Sequence, residues 1–110
     1  MEEIKQFDIW LCDFTACNGL ENFGIRPCVV VSNDINNKFS QTINIVPLTT
    51  QSKNPQPTHC IVASSKVASF ALCENVTMVL VSRLGQKLGE LNEFEKANMI
   101  YCLKQQFNIL

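Results

Sequence analysis

The segment Pro27-Cys28-Val29-Val30-Val31-Ser32 constrains the fold of this chain more than any other. It is an almost unbroken apolar run of β-branched type. A strand of that composition has both faces covered, which places it in the middle of a sheet. Pro27 has no N–H to give to a ladder, so it belongs at the strand's start. It also pushes the preceding Arg26 toward an extended conformation, while Gly24 leaves room for a turn or a close approach by another chain. The segment Gly24-Ile25-Arg26-Pro27 therefore holds an arginine at the mouth of a buried strand, well placed to grip a phosphate.

The surrounding pattern is one of many short strands. Residues 7–14 read as a first strand rich in aromatic and branched side chains. Residues 15–26, with Asn18-Gly19 and Gly24, form a loop of about a dozen residues, a length that tends to be functional or mobile. Residues 33–38 carry turn chemistry with room for a single helical turn. Residues 42–48 alternate, with Ile43, Ile45 and Pro47 on one side and Thr42, Asn44 and Val46 on the other. The polar stretch 51–57 is an exposed loop, and 58–63, 70–72 and 75–81 are further strands. Residues 82–89 read as a short helix stopped by Gly89.

The final helix has the strongest signals. Asn92 is its N-cap, and Glu95 completes the capping-box spacing. Phe94, Ala97, Ile100 or Tyr101, Leu103 or Lys104, and Phe107 recur at helical intervals as one apolar face. Short strands, no βαβ alternation and one terminal helix predict a mostly β domain with helices, as a strongly curled antiparallel sheet or barrel.

The chain has 110 residues, the size of one domain over 1–110 with a single core. Apolar content of 46% and charge of 17% exclude a disordered tail. No apolar run approaches the roughly 20 residues that cross a bilayer, and the acidic start Met1-Glu2-Glu3 lacks the basic region of a secretory signal. A cytoplasmic location without a membrane partner is the expectation. The six cysteines (Cys12, Cys17, Cys28, Cys60, Cys73, Cys102) match no CxxC or zinc spacing, and four lie inside apolar segments. Free thiols in a reducing compartment are expected. With His59 as the single histidine, no metal and no cofactor are expected either. A net charge of −1 argues against a sequence-blind electrostatic nucleic-acid binder, while leaving room for a small groove where a few cations converge.

Chemistry concentrates at strand ends. Arg26 and the pair Thr49-Thr50 are polar groups that begin or end apolar strands, and a partly closed barrel brings such ends to one rim. Arginine offers a planar five-donor fork and stays charged at any working pH. A threonine hydroxyl can donate to a phosphate oxygen or orient a neighbouring hydroxyl. Together they suffice for attack of a ribose 2′-hydroxyl on the adjacent phosphodiester without a metal. The residues alone leave each assignment open. Arg26 is equally a surface or salt-bridged residue, and Thr49 ordinary strand-end polarity. His59 is an acid, a base or a structural residue; Trp10 is a base platform or core. Asn33 and Asp34 are RNA contacts or turn caps. Lys38, Lys53 and Lys66 are phosphate contacts or solvated charges.

The run Asp8-Ile9-Trp10-Leu11-Cys12-Asp13, then Gly19-Leu20-Glu21-Asn22-Phe23-Gly24-Ile25-Arg26-Pro27, then Val29-Val30-Val31-Ser32-Asn33-Asp34, resembles the MazF/PemK family of toxin endoribonucleases. The likeness continues through Asn37-Lys38-Phe39-Ser40, Ile43 to Thr49, Gln56-Pro57-Thr58-His59, Leu72-Cys73-Glu74-Asn75-Val76 and Ser82-Arg83-Leu84. The resemblance implies a small SH3-like barrel with a C-terminal helix, assembled as a homodimer. It implies metal-independent, sequence-preferring cleavage of single-stranded RNA to 2′,3′-cyclic phosphate and 5′-hydroxyl ends. It also implies a cognate antitoxin protein as partner. The family's catalytic arginine and threonine fall on Arg26 and Thr49. Glu21 falls in the flap beside the RNA channel. Asn33, Lys38, Lys53, Asn75, Thr77 and Arg83 are the further RNA-binding candidates.

Two departures stand out. Thr77-Met78 occupies positions where the family commonly has Arg-Thr, and Leu80 stands where an aspartate is frequent. Phe7 replaces a common glycine, for which a changed turn is expected. The first departure keeps a rival reading open, a catalytically silent MazF-like barrel acting as a protein-binding or regulatory module. The gyrase-poisoning toxins of the same general fold resemble this chain less around the Arg-Pro pair.

Overall fold

The computed structural model of the chain describes residues 3–15, 17, 19–50, 57–63 and 70–109. Its strands are β1 (Asp8–Asp13), β2 (Ile25–Val30), β3 (Thr42–Thr49), β4 (His59–Ile61), β5 (Phe70–Leu72), β6 (Thr77–Leu80) and β7 (Leu84–Glu90). Among the described residues two α-helices join them, α1 (Asp34–Phe39) and α2 (Glu93–Phe107). Among the described residues all ladders are antiparallel, in the order β4-β5-β3-β2-β1-β7, with β6 also paired to β3.

The expected SH3-like barrel is not formed. The sheet is open: among the described residues no ladder joins β7 to β4 or β6. β3 divides one of its edges, pairing with β6 over Thr42 to Ile45 and with β5 at Leu48 and Thr49. The terminal strand β4 has three residues, and α2 packs against it in the place of a closing strand. The fold is thus a mixed α/β open sheet. Counting short strands from sequence reveals their number but not which edges meet.

From Pro27 to Val30 the strand β2 is buried as its composition requires, but it begins two residues earlier than expected, at Ile25, so Pro27 lies within it opposite Leu11 and not at its start. Cys28 and Val30 join one core cluster with Trp10, Cys12, Phe14, Ile43 and Ile45. Val29 joins the other, with Ile9, Val46, Leu48 and, from α2, Met99 and Cys102. All six cysteines are free thiols. Cys73 Sγ lies 3.5 Å from Met99 Sδ, and burial pushes the Cys60 thiol up to about 12. Asp8 is buried at the start of β1. Its Oδ2 accepts from Lys5 N–H (2.9 Å) and Trp10 Nε1–H (3.2 Å). Its Oδ1 makes no hydrogen bond but is ion-paired with Lys87 Nζ at 3.5 Å.

Three local expectations are corrected. Residues 82–89 are not a helix: a one-turn 3₁₀ helix, Val81–Arg83, leads directly into β7. Pairing with β1, across two register shifts, overrides the local helical pattern. Residues 33–38 extend the single expected turn into α1, capped by Asn33. The terminal helix begins as expected, with Asn92 and Glu95 forming a reciprocal capping box, but it buries another face. Glu95, Met99 and Cys102 point inward, while Phe94 (74% exposed), Tyr101 (58%) and Phe107 (56%) face solvent. Apolar residues surround α2, so periodicity alone does not select the buried stripe. The thiol-rich floor at Cys60 and Cys73 accepts Met99 and Cys102. Phe7 has φ 71°, a left-handed backbone costly for a bulky side chain and free for glycine, so the turn keeps a conformation that suits the glycine Phe7 replaces.

Candidate active site

The loop before Arg26 is organised by its own backbone. Cys17 N–H donates to Phe14 O (2.9 Å), Leu20 N–H to Cys17 O (3.0 Å), and Phe23 N–H to Leu20 O (3.0 Å). A 3₁₀ turn over Glu21–Phe23 ends at Gly24, whose φ of 60° and ψ of −136° lie where side chains are strained. Gly24 O accepts Phe14 N–H at 2.8 Å, anchoring the loop to the end of β1. Gly24→Ala is therefore expected to destabilise by about 1–3 kcal/mol and to move Arg26. Chemical denaturation, together with RNA cleavage, measures both effects.

Arg26 is exposed on β2 opposite Cys12 of β1. Its Nε donates to Phe23 O at 2.9 Å, which directs the guanidinium. Among the described residues its two terminal amino groups have no protein partner. β2 and β3 pair at Cys28–Pro47, Val29–Val46 and Val30–Ile45. Continuing that register by two places sets Arg26 opposite Thr49, on the same face of the sheet. Both line a pocket of ≈ 230 Å³ with Asn22, Phe23, Leu48 and Thr50. Arg26 is the one charged residue among these lining groups, and it stands beside two threonines.

The other candidates are dispersed. Glu21 is exposed in the adjoining turn but does not line the pocket. Arg83 is at the same end of the sheet, beyond β1: the Thr15 hydroxyl and N–H hold the Asp13 carboxyl below its ordinary range, with Arg83 assisting. Asn33 lies past the far end of β2, and its Oδ1 caps α1 by accepting Asn36 N–H (2.8 Å). Lys38, on α1, sits 5.5 Å from the Phe39 ring centroid. Asn75 ends a 3₁₀ turn over Cys73–Asn75. Thr77 pairs with Ile45, four residues from Thr49 along β3, roughly 13 Å at strand rise. Lys53 and Lys66 lie outside the described residues. Asn22 and Phe23 were not singled out by sequence reasoning. Their place just before the Gly24 turn was the available signal.

His59 and Trp10 take structural places. His59 Nε2 lies 2.8 Å from Glu74 Oε2, and Thr58 Oγ1 donates to Glu74 Oε1 (3.0 Å). Burial pushes the Glu74 carboxyl up, but hydrogen bonds from its own backbone, His59 and Thr58 outweigh this and leave it below its ordinary value. A depressed carboxyl stabilises the fold above its unfolded pKa and loses that contribution as pH falls through the folded value. Melting between pH 7 and 3 is expected to show wild type losing on the order of 1 kcal/mol more than Glu74→Gln below about pH 4. Among the described residues no group of three His, Cys, Asp or Glu is placed to hold a metal. No described helix is long and apolar enough to cross a membrane.

Fold and pocket together define a small mixed α/β domain in which one arginine and two threonines line a shared pocket. The chain belongs to the PemK-like, MazF-like toxins of type II toxin–antitoxin systems, a family that matches residues 5–107. It is 33% identical over 95 residues to an endoribonuclease MazF of Staphylococcus saprophyticus, covering 82% of this chain and 79% of that protein. Its fold resembles a crystal structure of MazF from Deinococcus radiodurans, with TM-score 0.84, 21% identity, and coverage of 99% of this chain and 100% of that one. It also resembles a mycobacterial endoribonuclease in complex with its cognate antitoxin, with TM-score 0.79, 22% identity, and coverage of 100% and 98%.

Proposed function

We propose that the chain is a toxin endoribonuclease that cuts single-stranded RNA at preferred short sequences without a metal. The observation that carries this reading is the shared pocket of Arg26 and Thr49. A ribose 2′-hydroxyl gives its proton to solvent as its oxygen attacks the adjacent phosphorus, the bond to the 5′-oxygen breaks, that oxygen takes a proton from solvent, and a 2′,3′-cyclic phosphate and a 5′-hydroxyl result. Arg26 stabilises charge growing on the nonbridging oxygens. Thr49 orients the phosphate or the attacking hydroxyl. Arginine is a poor general acid because its pKa is so high, so its part is electrostatic.

The partners in this reading are a second copy of the chain and a cognate antitoxin. Both need apolar surface, which exposed Phe94, Tyr101 and Phe107 on α2 and Met78 on β6 supply. The silent-module reading rests on Thr77-Met78. Thr77 lines a different pocket, with Val31, Asn44 and Phe107, so its substitution removes nothing from around Arg26 within one chain. The test is incubation of the purified chain with a long single-stranded RNA in EDTA. Discrete cuts with cyclic-phosphate ends support the nuclease, and intact RNA at high protein concentration defeats it.

A further inference from the structure

The pocket beside Arg26 contains an aromatic ring with no evident part in handling a phosphate. Phe23 lines it with Arg26 and Thr49. Its ring meets Phe14 edge-on, with centroids 6.0 Å apart and planes at 86°. Phe14 is fully buried, and Phe23 packs against the same core cluster while remaining partly exposed. Its carbonyl accepts Arg26 Nε, so ring and guanidinium are fixed relative to each other through three residues of backbone. We propose that Phe23 is a base-stacking platform, receiving the unpaired base next to the phosphate that Arg26 holds. This inference rests on the nuclease reading above and names how that site grips its substrate.

Charge favours stacking as the main source of affinity. The chain carries nine Lys and Arg against ten Asp and Glu. Among the described residues Arg26 is the one charged residue lining the pocket, and Lys38 lies on α1, past the far end of β2. Each neutralised phosphate of a single strand adds about −0.7 to the slope of log affinity against log salt. One or two such contacts leave a shallow slope, near −1. An aromatic platform needs no charge, accepts any base, and strengthens binding by about 10- to 100-fold per stacked base. The edge contact with Phe14 braces the ring, so little side-chain freedom is lost on binding.

The test uses the full chain, a single-stranded RNA, and its 2′-O-methyl counterpart, which binds but lacks the attacking hydroxyl. Phe23→Leu is expected to weaken 2′-O-methyl RNA binding and raise KM by about 10- to 100-fold, with kcat within about 3-fold. Phe23→Trp should restore binding. An abasic nucleotide walked along the 2′-O-methyl RNA should weaken wild type at one position and leave Phe23→Leu indifferent there. Unchanged affinity in Phe23→Leu overturns the proposal. So does an equal abasic penalty in both proteins, or a kcat loss that Phe23→Trp does not repair, which would mark a purely structural ring. If wild type binds the 2′-O-methyl RNA but cuts none of the unmodified RNA, the nuclease reading fails and the binding comparison still decides the platform. Wild type that neither binds nor cuts overturns both.

Discussion

Arg26→Ala is expected to reduce RNA cleavage by about 10²–10³-fold or more, the usual cost of removing one preorganised donor to a developing oxyanion. The loss should appear in kcat, because the charge that Arg26 meets grows mainly on the way to the transition state. Stability should hardly change. The side chain is exposed on β2 and spends one hydrogen bond on Phe23 O. Arg26→Lys should remain strongly impaired, since an ammonium lacks both the planar fork and an Nε held by that carbonyl. Thr49→Ala should be milder, as one neighbouring hydroxyl, Thr50, lines the same pocket. Single-turnover cleavage of a labelled RNA, with thermal melts alongside, measures all three. An Arg26→Ala protein that cuts at the wild-type rate would end the catalytic assignment.

Trp10→Ala is expected to cost about 3–5 kcal/mol, the range for emptying a fully buried large aromatic site. For a domain of this size that is a fall in Tm on the order of 20 °C. Trp10 is 1% exposed, packed among Cys12, Cys28, Val30 and Ile45, and its Nε1–H donates to buried Asp8. Removal opens a cavity and withdraws a donor from a carboxylate that cannot reach water. Differential scanning calorimetry of the variant checks the value. A small shift in Tm with a large loss of RNA binding would return Trp10 to the role of a base platform.

The segment around Arg26 was legible because its constraints are local. Pro27 limits its own φ and that of Arg26, and the valines after it need two covered faces; the two core clusters on either side of β2 supply them. The Asn92–Glu95 capping box was legible for the same reason, since both partners lie within one turn. The buried side of α2 was not. Apolar side chains lie on more than one side of the helix, Phe94 and Tyr101 on one and Met99 and Cys102 on another, and the choice between them belongs to the thiol-rich floor of β4 and the turn after β5. The strand at residues 84–90 was hidden for a similar reason, Gly89 reading as a helix stop until β1 lies alongside.

The active-site candidates divide along the same line. Neighbouring residues name Arg26, because a rigid dipeptide and a preceding turn position it without help from elsewhere. Its partner Thr49 was reached through resemblance and a strand-end position. The antiparallel register of β2 and β3 is what sets the two opposite each other. Register cannot be deduced from either strand alone, since it depends on how both distribute apolar side chains between two cores. Sheet closure is of the same kind: eight residues of β3 sharing an edge between β5 and β6, with α2 over β4, leave the sheet open. Short-range steric and capping forces act between residues adjacent in the chain, whereas edges and helix faces are chosen by partners dozens of residues away.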